Sequence, residues 1–225
     1  IDSANFGILS ILASQVFFLL LLVSGFLPWL AQTIQQPGWS GIVQGLVFFA
    51  ALSLPVNLFQ IPFDLYDTFI IENRYGFNTK TLRLWIADLL KGLVLSALLG
   101  GILLGLFLSL ATHGGKYWWL WAWVFVGAFE LLMMWMYPVI LAPLFNKFVP
   151  VENPELVRRI EALMQKAGLR SKGVFKMDAS RRSRHTNAYF TGLGRSKRIV
   201  LFDTLMDSHT PGEIEAVLAH EIGHW

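Results

Sequence analysis

Between Asp2 and Asp64 the chain contains no Asp, Glu, Lys, Arg or His. A water-soluble domain needs charge to solvate its surface. An uncharged run of this length therefore restricts the fold to elements that satisfy their backbone inside lipid. Pro37, Gly38 and neighbouring polar residues divide the run, predicting spans at about residues 6–30 and 41–63. Two further apolar runs predict spans at about 84–110 and 117–145. Each exceeds the roughly 20 residues that cross a bilayer core. The first is too long, and too poor in basic residues at its start, to be a signal peptide. Composition agrees, at 55% hydrophobic and 15% charged, but the distribution carries the argument.

Lys and Arg set the expected orientation. The connection near residues 32–40 has none, and that at 113–116 has only Lys116. The connection at 64–83 has Arg74, Lys80 and Arg83, and residues 145–225 hold thirteen of the eighteen basic residues. The positive-inside rule then places the 64–83 loop and the C-terminal region in the cytoplasm. Arg181, Arg182, Arg184, Arg195, Lys197 and Arg198 read as a solvated face. Lipid headgroup contact or docking of a substrate carboxylate are the alternatives. Nucleic acid is disfavoured, because no aromatic-interleaved basic module accompanies them.

Within the spans, Asp88 and Lys91 are spaced to pair on one helix face, while Glu130 stands mid-span. Glu130 either lines a wet cavity or is protonated or bonded to a neighbouring helix. Pro55, Pro62, Pro138 and Pro143 are expected to kink their helices. The chain has no cysteine. Thiolate metal ligation, disulfides and a cysteine nucleophile are thereby excluded from these 225 residues.

The region after residue 145 reads as a small α+β domain. Asn153-Pro154-Glu155 is an N-cap with an N1 proline, opening an amphipathic helix to about Ala167 with Leu156, Ile160, Leu163 and Ala167 buried and Gly168 ending it. A short strand is predicted at 174–177. A hairpin follows, with Asn187-Ala188-Tyr189-Phe190 and Arg198-Ile199-Val200-Leu201-Phe202 flanking a turn at 191–194. The lone Gly192-x-Gly194 is hairpin punctuation, with no third glycine and no helix after it to make a nucleotide loop.

Thr210-Pro211-Gly212-Glu213 then reads as N-cap, N1 proline and capping-box glutamate. That helix runs into His220-Glu221-Ile222-Gly223-His224. In H-E-x-x-H two imidazoles four apart share one helix face and can grip a single Zn²⁺, with the glutamate placed as general base toward an activated water. The flanking Val217, Leu218, Ala219 and Ile222 are apolar, as in a motif packed within a domain. A sheet edge beside such a metal can hold a peptide extended by strand addition. The expected fold class is mainly α: a polytopic helical membrane protein with a small α+β zincin-like protease domain on the cytosolic side. Residues 1–145 form the transmembrane region. Residues 146–225 form the N-terminal part of the zinc metallopeptidase domain, truncated inside the motif helix.

The chain also resembles a known family, the type I CAAX prenyl proteases and their bacterial relatives, integral-membrane zinc metalloendopeptidases. The resemblance rests on Glu72-Asn73-Arg74-Tyr75-Gly76-Phe77-Asn78, Pro143-Leu144-Phe145-Asn146-Lys147, Asn187-Ala188-Tyr189-Phe190-Thr191-Gly192, Lys197 through Leu205, and Ala219 through Trp225. It implies seven membrane helices around a chamber, capped by the protease domain, with one zinc per active site. His220 and His224 would be ligands and Glu221 the general base, and Asn187, Ala188 and Tyr189 would belong to the substrate-binding edge. The third ligand, a glutamate on a later helix, would lie beyond Trp225. The chain alone is then expected to bind zinc weakly and turn nothing over, since a catalytic zinc normally has three protein ligands. The compact loops suggest a bacterial member, in an inner membrane. Cleavage of a prenylated CAAX-type protein and quality-control proteolysis of membrane proteins are both open as physiological roles.

Other third-ligand candidates are His185, Asp203, Asp207 and His209. His209 and Asp207 precede the metal face by about three turns, some 15 Å along the axis, which is too far. His185 reads more simply as a polar loop histidine. Two rival functions have their own marks. Gly38-Trp39-Ser40-Gly41 with His113 matches an intramembrane serine protease string, but Ser40 lies in a short connection and His113 at a helix end. A non-catalytic zinc protein predicts a closed, fully coordinated site, whereas catalysis needs an open position.

Overall fold

The computed structural model describes residues 2–35, 38–169, 171–191 and 198–223. The expected turn at 191–194 falls largely on residues 192–197, which, with the second motif histidine His224 and Trp225, lie outside the described residues. In chain order the helices are α1 (Asp2–Val23), α2 (Phe26–Gln35), α3 (Gly41–Tyr66), α4 (Glu72–Arg74), α5 (Leu82–His113), α6 (Trp118–Met136), α7 (Ala142–Phe145), α8 (Pro154–Lys166), α9 (Asp203–Ser208) and α10 (Pro211–Gly223). The strands are β1 (Phe148–Pro150), β2 (Val174–Met177), β3 (Ala188–Thr191) and β4 (Arg198–Phe202). Single π-turns join α3 to α4 (Asp67–Ile71) and α6 to α7 (Tyr137–Leu141). The chain divides into two units, Ile1–Gly76 with Leu82–Ala128, and Phe77–Thr81 with Phe129–Trp225.

The first unit is built from apolar helices. Among the described residues, four helical stretches are long and apolar enough to cross a membrane: Asp2–Val23, Gly41–Arg74, Leu82–His113 and Gly115–Phe145, the last running on into the second unit. Two boundaries differ from expectation. The stretch expected at 6–30 is broken, because Gly25 adopts φ +79° and ends α1. The Ser24 hydroxyl then accepts the Phe26 N–H at 3.2 Å and starts α2. Pro28 costs nothing there, since it falls in a first turn whose N–H groups have no intrahelical acceptor. The second stretch does not stop near residue 63 but continues helically to Arg74 and carries Pro55 and Pro62 within α3.

With lipid as apolar as leucine, these helices have little to gain from burying leucine and pack by shape and polar pairing instead. Gly45 of α3 faces Leu108 of α5 so closely that an added Cβ would sit 2.6 Å from Leu108 Cδ1. Between α1 and α3, Gln60 Nε2 donates to the buried Ser10 hydroxyl at 3.0 Å, and Ser14 Oγ donates to Gln60 Oε1 at 2.8 Å. The Trp85 indole N–H donates to Asp64 at 2.7 Å, which pairs both polar groups.

The second unit has a conventional buried core. Its sheet has the order β1-β2-β4-β3, with β2 and β4 parallel and both outer pairs antiparallel. The expected strand at 174–177 and both hairpin strands are present. β1 had no sequence signal: it is three residues long and ends in Pro150, which can donate to no ladder and so suits an edge. Leu156, Ile160 and Met164 of α8 pack with Ile199 and Leu201 of β4 and Ile214 and Leu218 of α10. The α8 stripe therefore uses Met164, and the expected Ala167 is exposed. Asn153 caps α8, its side-chain oxygen accepting from Glu155 and Leu156 N–H. Gly168 at φ +70° ends it.

The π-turn at Tyr137–Leu141 has a traceable consequence. In an i to i+5 pattern the Ala142 N–H bonds the Tyr137 carbonyl, so the Pro138 carbonyl would need residue 143, which is a proline without an N–H. Arg198 Nη1 of β4 supplies the donor, at 3.4 Å.

Candidate active site

The motif helix α10 starts as the sequence predicts. The Thr210 carbonyl accepts the Ile214 N–H at 3.0 Å. Glu213 reaches back to accept the Thr210 backbone N–H at 2.7 Å and its hydroxyl at 2.8 Å. Those two bonds hold the Glu213 carboxyl below its ordinary value. Ile214 and Leu218 then bury against α8 and β3, fixing the rotation of the helix. At about 100° per residue, position 220 lies roughly 200° round from Leu218, away from the core. His220 is accordingly exposed and Glu221 half-buried, both in the last described turn.

β3 is the outer strand beside α10. The Asn187 carbonyl accepts the Phe202 N–H at 3.0 Å, so Asn187 and Phe202 form a hydrogen-bonded pair. Alternation along the antiparallel ladder then turns the backbone groups of Ala188 and Phe190 away from β4, toward the sheet edge. The Asn187 carboxamide oxygen lies over that edge and accepts the Ala188 N–H at 2.8 Å. The Ala188 side chain is buried in the core it shares with Ile214 and Leu218.

Tyr189 faces the other way. It packs with Met177 and Val200, its hydroxyl 3.8 Å from Met177 Sδ, and its ring meets Phe202 edge-on. Burial, with Tyr137 nearby, pushes its phenol up to about 12. β3 and α10 thus pack together, Ala188 sharing the core with Ile214 and Leu218, while the Tyr189 side chain packs on the other face of the sheet.

Three of the other candidates, Asp203, His209 and His185, are engaged elsewhere. Asp203 accepts the backbone N–H groups of Ser180 and Thr204 and the Ser180 hydroxyl. His209 Nδ1 lies 2.8 Å from the Ser208 hydroxyl. The His185 ring stacks on Phe77, centroids 4.1 Å apart at 18°. Of the basic loop, Arg181 pairs with Asp178 at 3.1 Å and Arg182 donates to Asn146 at 2.8 Å. Among the described residues no group of three or more His, Asp or Glu side chains converges on a metal position. An outward imidazole with a carboxylate beside it, on a rigidly capped helix, fits zinc in the kind of donor it offers.

A helical membrane protein joined to a small α+β domain, with a histidine–glutamate pair in the last turn of a half-buried helix packed against an outer strand, is the class this geometry defines. Comparison with known proteins names the family. The family described as "CAAX prenyl protease N-terminal, five membrane helices" matches residues 1–147, and "Peptidase family M48" matches residues 150–225. The chain belongs to the CAAX prenyl proteases of family M48. "Probable CAAX prenyl protease 1" of Schizosaccharomyces pombe is 44% identical over 186 residues, covering 83% of this chain and 39% of that protein. "CAAX prenyl protease 1" of Saccharomyces cerevisiae is 44% identical over 187 residues, covering 83% and 41%. The crystal structure of S. mikatae Ste24p superposes with a TM-score of 0.89 at 40% identity, covering 99% of this chain and 53% of that one. The chain thus spans about two-fifths of the length of these two curated relatives.

Proposed function

We propose that the whole protein is an integral-membrane zinc endopeptidase acting on a peptide bond near the C-terminus of a prenylated protein, with its catalytic unit on the cytosolic side. The helix α10 carries this reading, because its cap and its core contacts with β3 fix the turn that bears His220 and Glu221. The distribution of Lys and Arg supports the orientation. The names of the relatives support the substrate class.

His220 and His224 would hold one Zn²⁺, completed by a carboxylate outside the described residues. Zinc in such a place supplies Lewis acidity toward water and the scissile carbonyl. The chain's own residues do the rest. The edge of β3 takes the substrate backbone as an added strand, so Asn187 and Ala188 align the scissile bond. Glu221 accepts the proton of the water whose oxygen bonds the carbonyl carbon. When the C–N bond breaks, Glu221 delivers that proton to the leaving amine.

In the full-length protein Glu221→Gln is expected to keep its zinc, measured by metal analysis, and to lose at least about 100-fold in kcat on a farnesylated peptide. Activity within tenfold of wild type would remove Glu221 from the proton-transfer role. A wild-type protein whose cleavage is unaffected by a zinc chelator would remove the metal.

A further inference from the structure

We propose that Phe77–Thr81, the short stretch between two membrane helices, is a strap that positions the substrate-binding edge, with Phe77 as its anchoring residue. The inference rests on the reading of β3 as that edge. The strap belongs to the catalytic unit although the segments on either side of it do not. It is aimed by Gly76, whose φ of +74° reverses the chain after α4, and by the Asn78 side chain, which accepts the Lys80 N–H at 2.8 Å.

The strap meets the residues that lead into β3. Asn78 forms an antiparallel bridge with Ser183. Arg184 N–H donates to the Phe77 carbonyl at 2.8 Å, and Thr79 N–H to the Arg182 carbonyl at 3.4 Å. The Phe77 ring stacks on His185. The Thr204 hydroxyl of α9 also donates to the His185 carbonyl at 2.8 Å. Residue 185 is thus held between α9 and the strap, two residues before Asn187.

These backbone bonds lie where water competes for them, so they order the lead-in only weakly by themselves. The ring stack is the contact water cannot replace. Without it, the strap side of the clamp loses its side-chain anchor and keeps its water-exposed backbone bonds, and Asn187 and Ala188 sample positions from which a strand cannot be added. The loss falls on substrate binding before it falls on chemistry, because Glu221 is placed by α10 and its own core.

The test uses the full-length protein with a farnesylated peptide. Phe77→Ala is expected to raise KM about three- to tenfold and leave kcat within about twofold, the scale of one aromatic stack. Phe77→Tyr restores the wild-type KM, and Gly76→Ala, strained at positive φ, reproduces the alanine phenotype. Amide exchange from residue 183 to 190 speeds up in Phe77→Ala while zinc content and exchange in α8 stay unchanged. An unchanged KM and unchanged exchange would overturn the strap. So would faster exchange throughout the catalytic unit that tyrosine fails to rescue, since that marks general destabilisation. If the wild type cleaves nothing, the endopeptidase reading fails by itself, and exchange at 183–190 still decides whether Phe77 holds the lead-in.

Discussion

Leucine obeys opposite rules in the membrane helices and in the α+β region after residue 145. On α5 Leu98 is 57% exposed within the protein, whereas Leu218 on α10 is fully buried. Around the membrane helices the solvent is hydrocarbon, so exposing a leucine costs nothing and burying it earns nothing. Around the α+β region after residue 145 the solvent is water, and each buried leucine contributes to folding. The polar groups invert as well. Gln60 and Ser10 meet between membrane helices, where lipid offers no partner, while Glu155 and Arg159 pair on the outer face of α8 at 2.6 Å in full contact with water. A residue type therefore carries structural information only once the solvent on its outer side is known.

The sharpest way to break this contrast is to make one substitution twice. Leu218→Ala should destabilise the α+β region by about 2–5 kcal/mol, read as faster amide exchange in α8 and α10. Leu98→Ala should cost less than about 0.5 kcal/mol in the same protein in detergent or bilayer. Comparable costs at the two positions would mean that α5 is buried against protein. Shape is the next term to test. Gly45→Leu forces bulk against Leu108 and should cost the helix packing about 1–3 kcal/mol in unfolding assays. Gly105→Ala, whose Cβ would meet Leu46 at an ordinary 3.8 Å, should be silent.

The smallest effect belongs to the cap of α10. The Glu213 carboxyl has its value lowered on folding, so its contribution is fully present above the unfolded value of 4.5 and is lost as pH falls through the folded value. Amide protection in the first turn of α10 should therefore fall as pH drops below about 4.5, and Glu213→Gln should flatten that profile. A flat wild-type profile would show that the cap does not hold the helix start.

Local chemistry made much of this legible. Asn153 before Pro154, and Thr210 before Pro211 with Glu213 following, mark helix starts because the bonds they make span three residues or fewer. The uncharged run before Asp64 and the histidine–glutamate motif are equally local statements. The break at Gly25 was missed because an apolar window averages over a single left-handed glycine. β1 was missed because Phe-Val-Pro has too few residues to show a period. The motif block around Gly76-Phe77-Asn78 stood out, but nothing in it names Ser183 or His185 as its partner.

The order of residues alone determined the number of lipid-soluble helices, the starts of α8 and α10, and the pairing of histidine with glutamate on one of them. Each follows from interactions within a turn or from the transfer energy of a contiguous stretch. Only the tertiary structure decided that β4 lies between β2 and β3, that Tyr189 turns from the edge while Asn187 and Ala188 remain on it, and that a loop between membrane helices clasps the approach to that edge. Those contacts join residues as far as a hundred positions apart. Their energy exists only when packing has already brought both partners together.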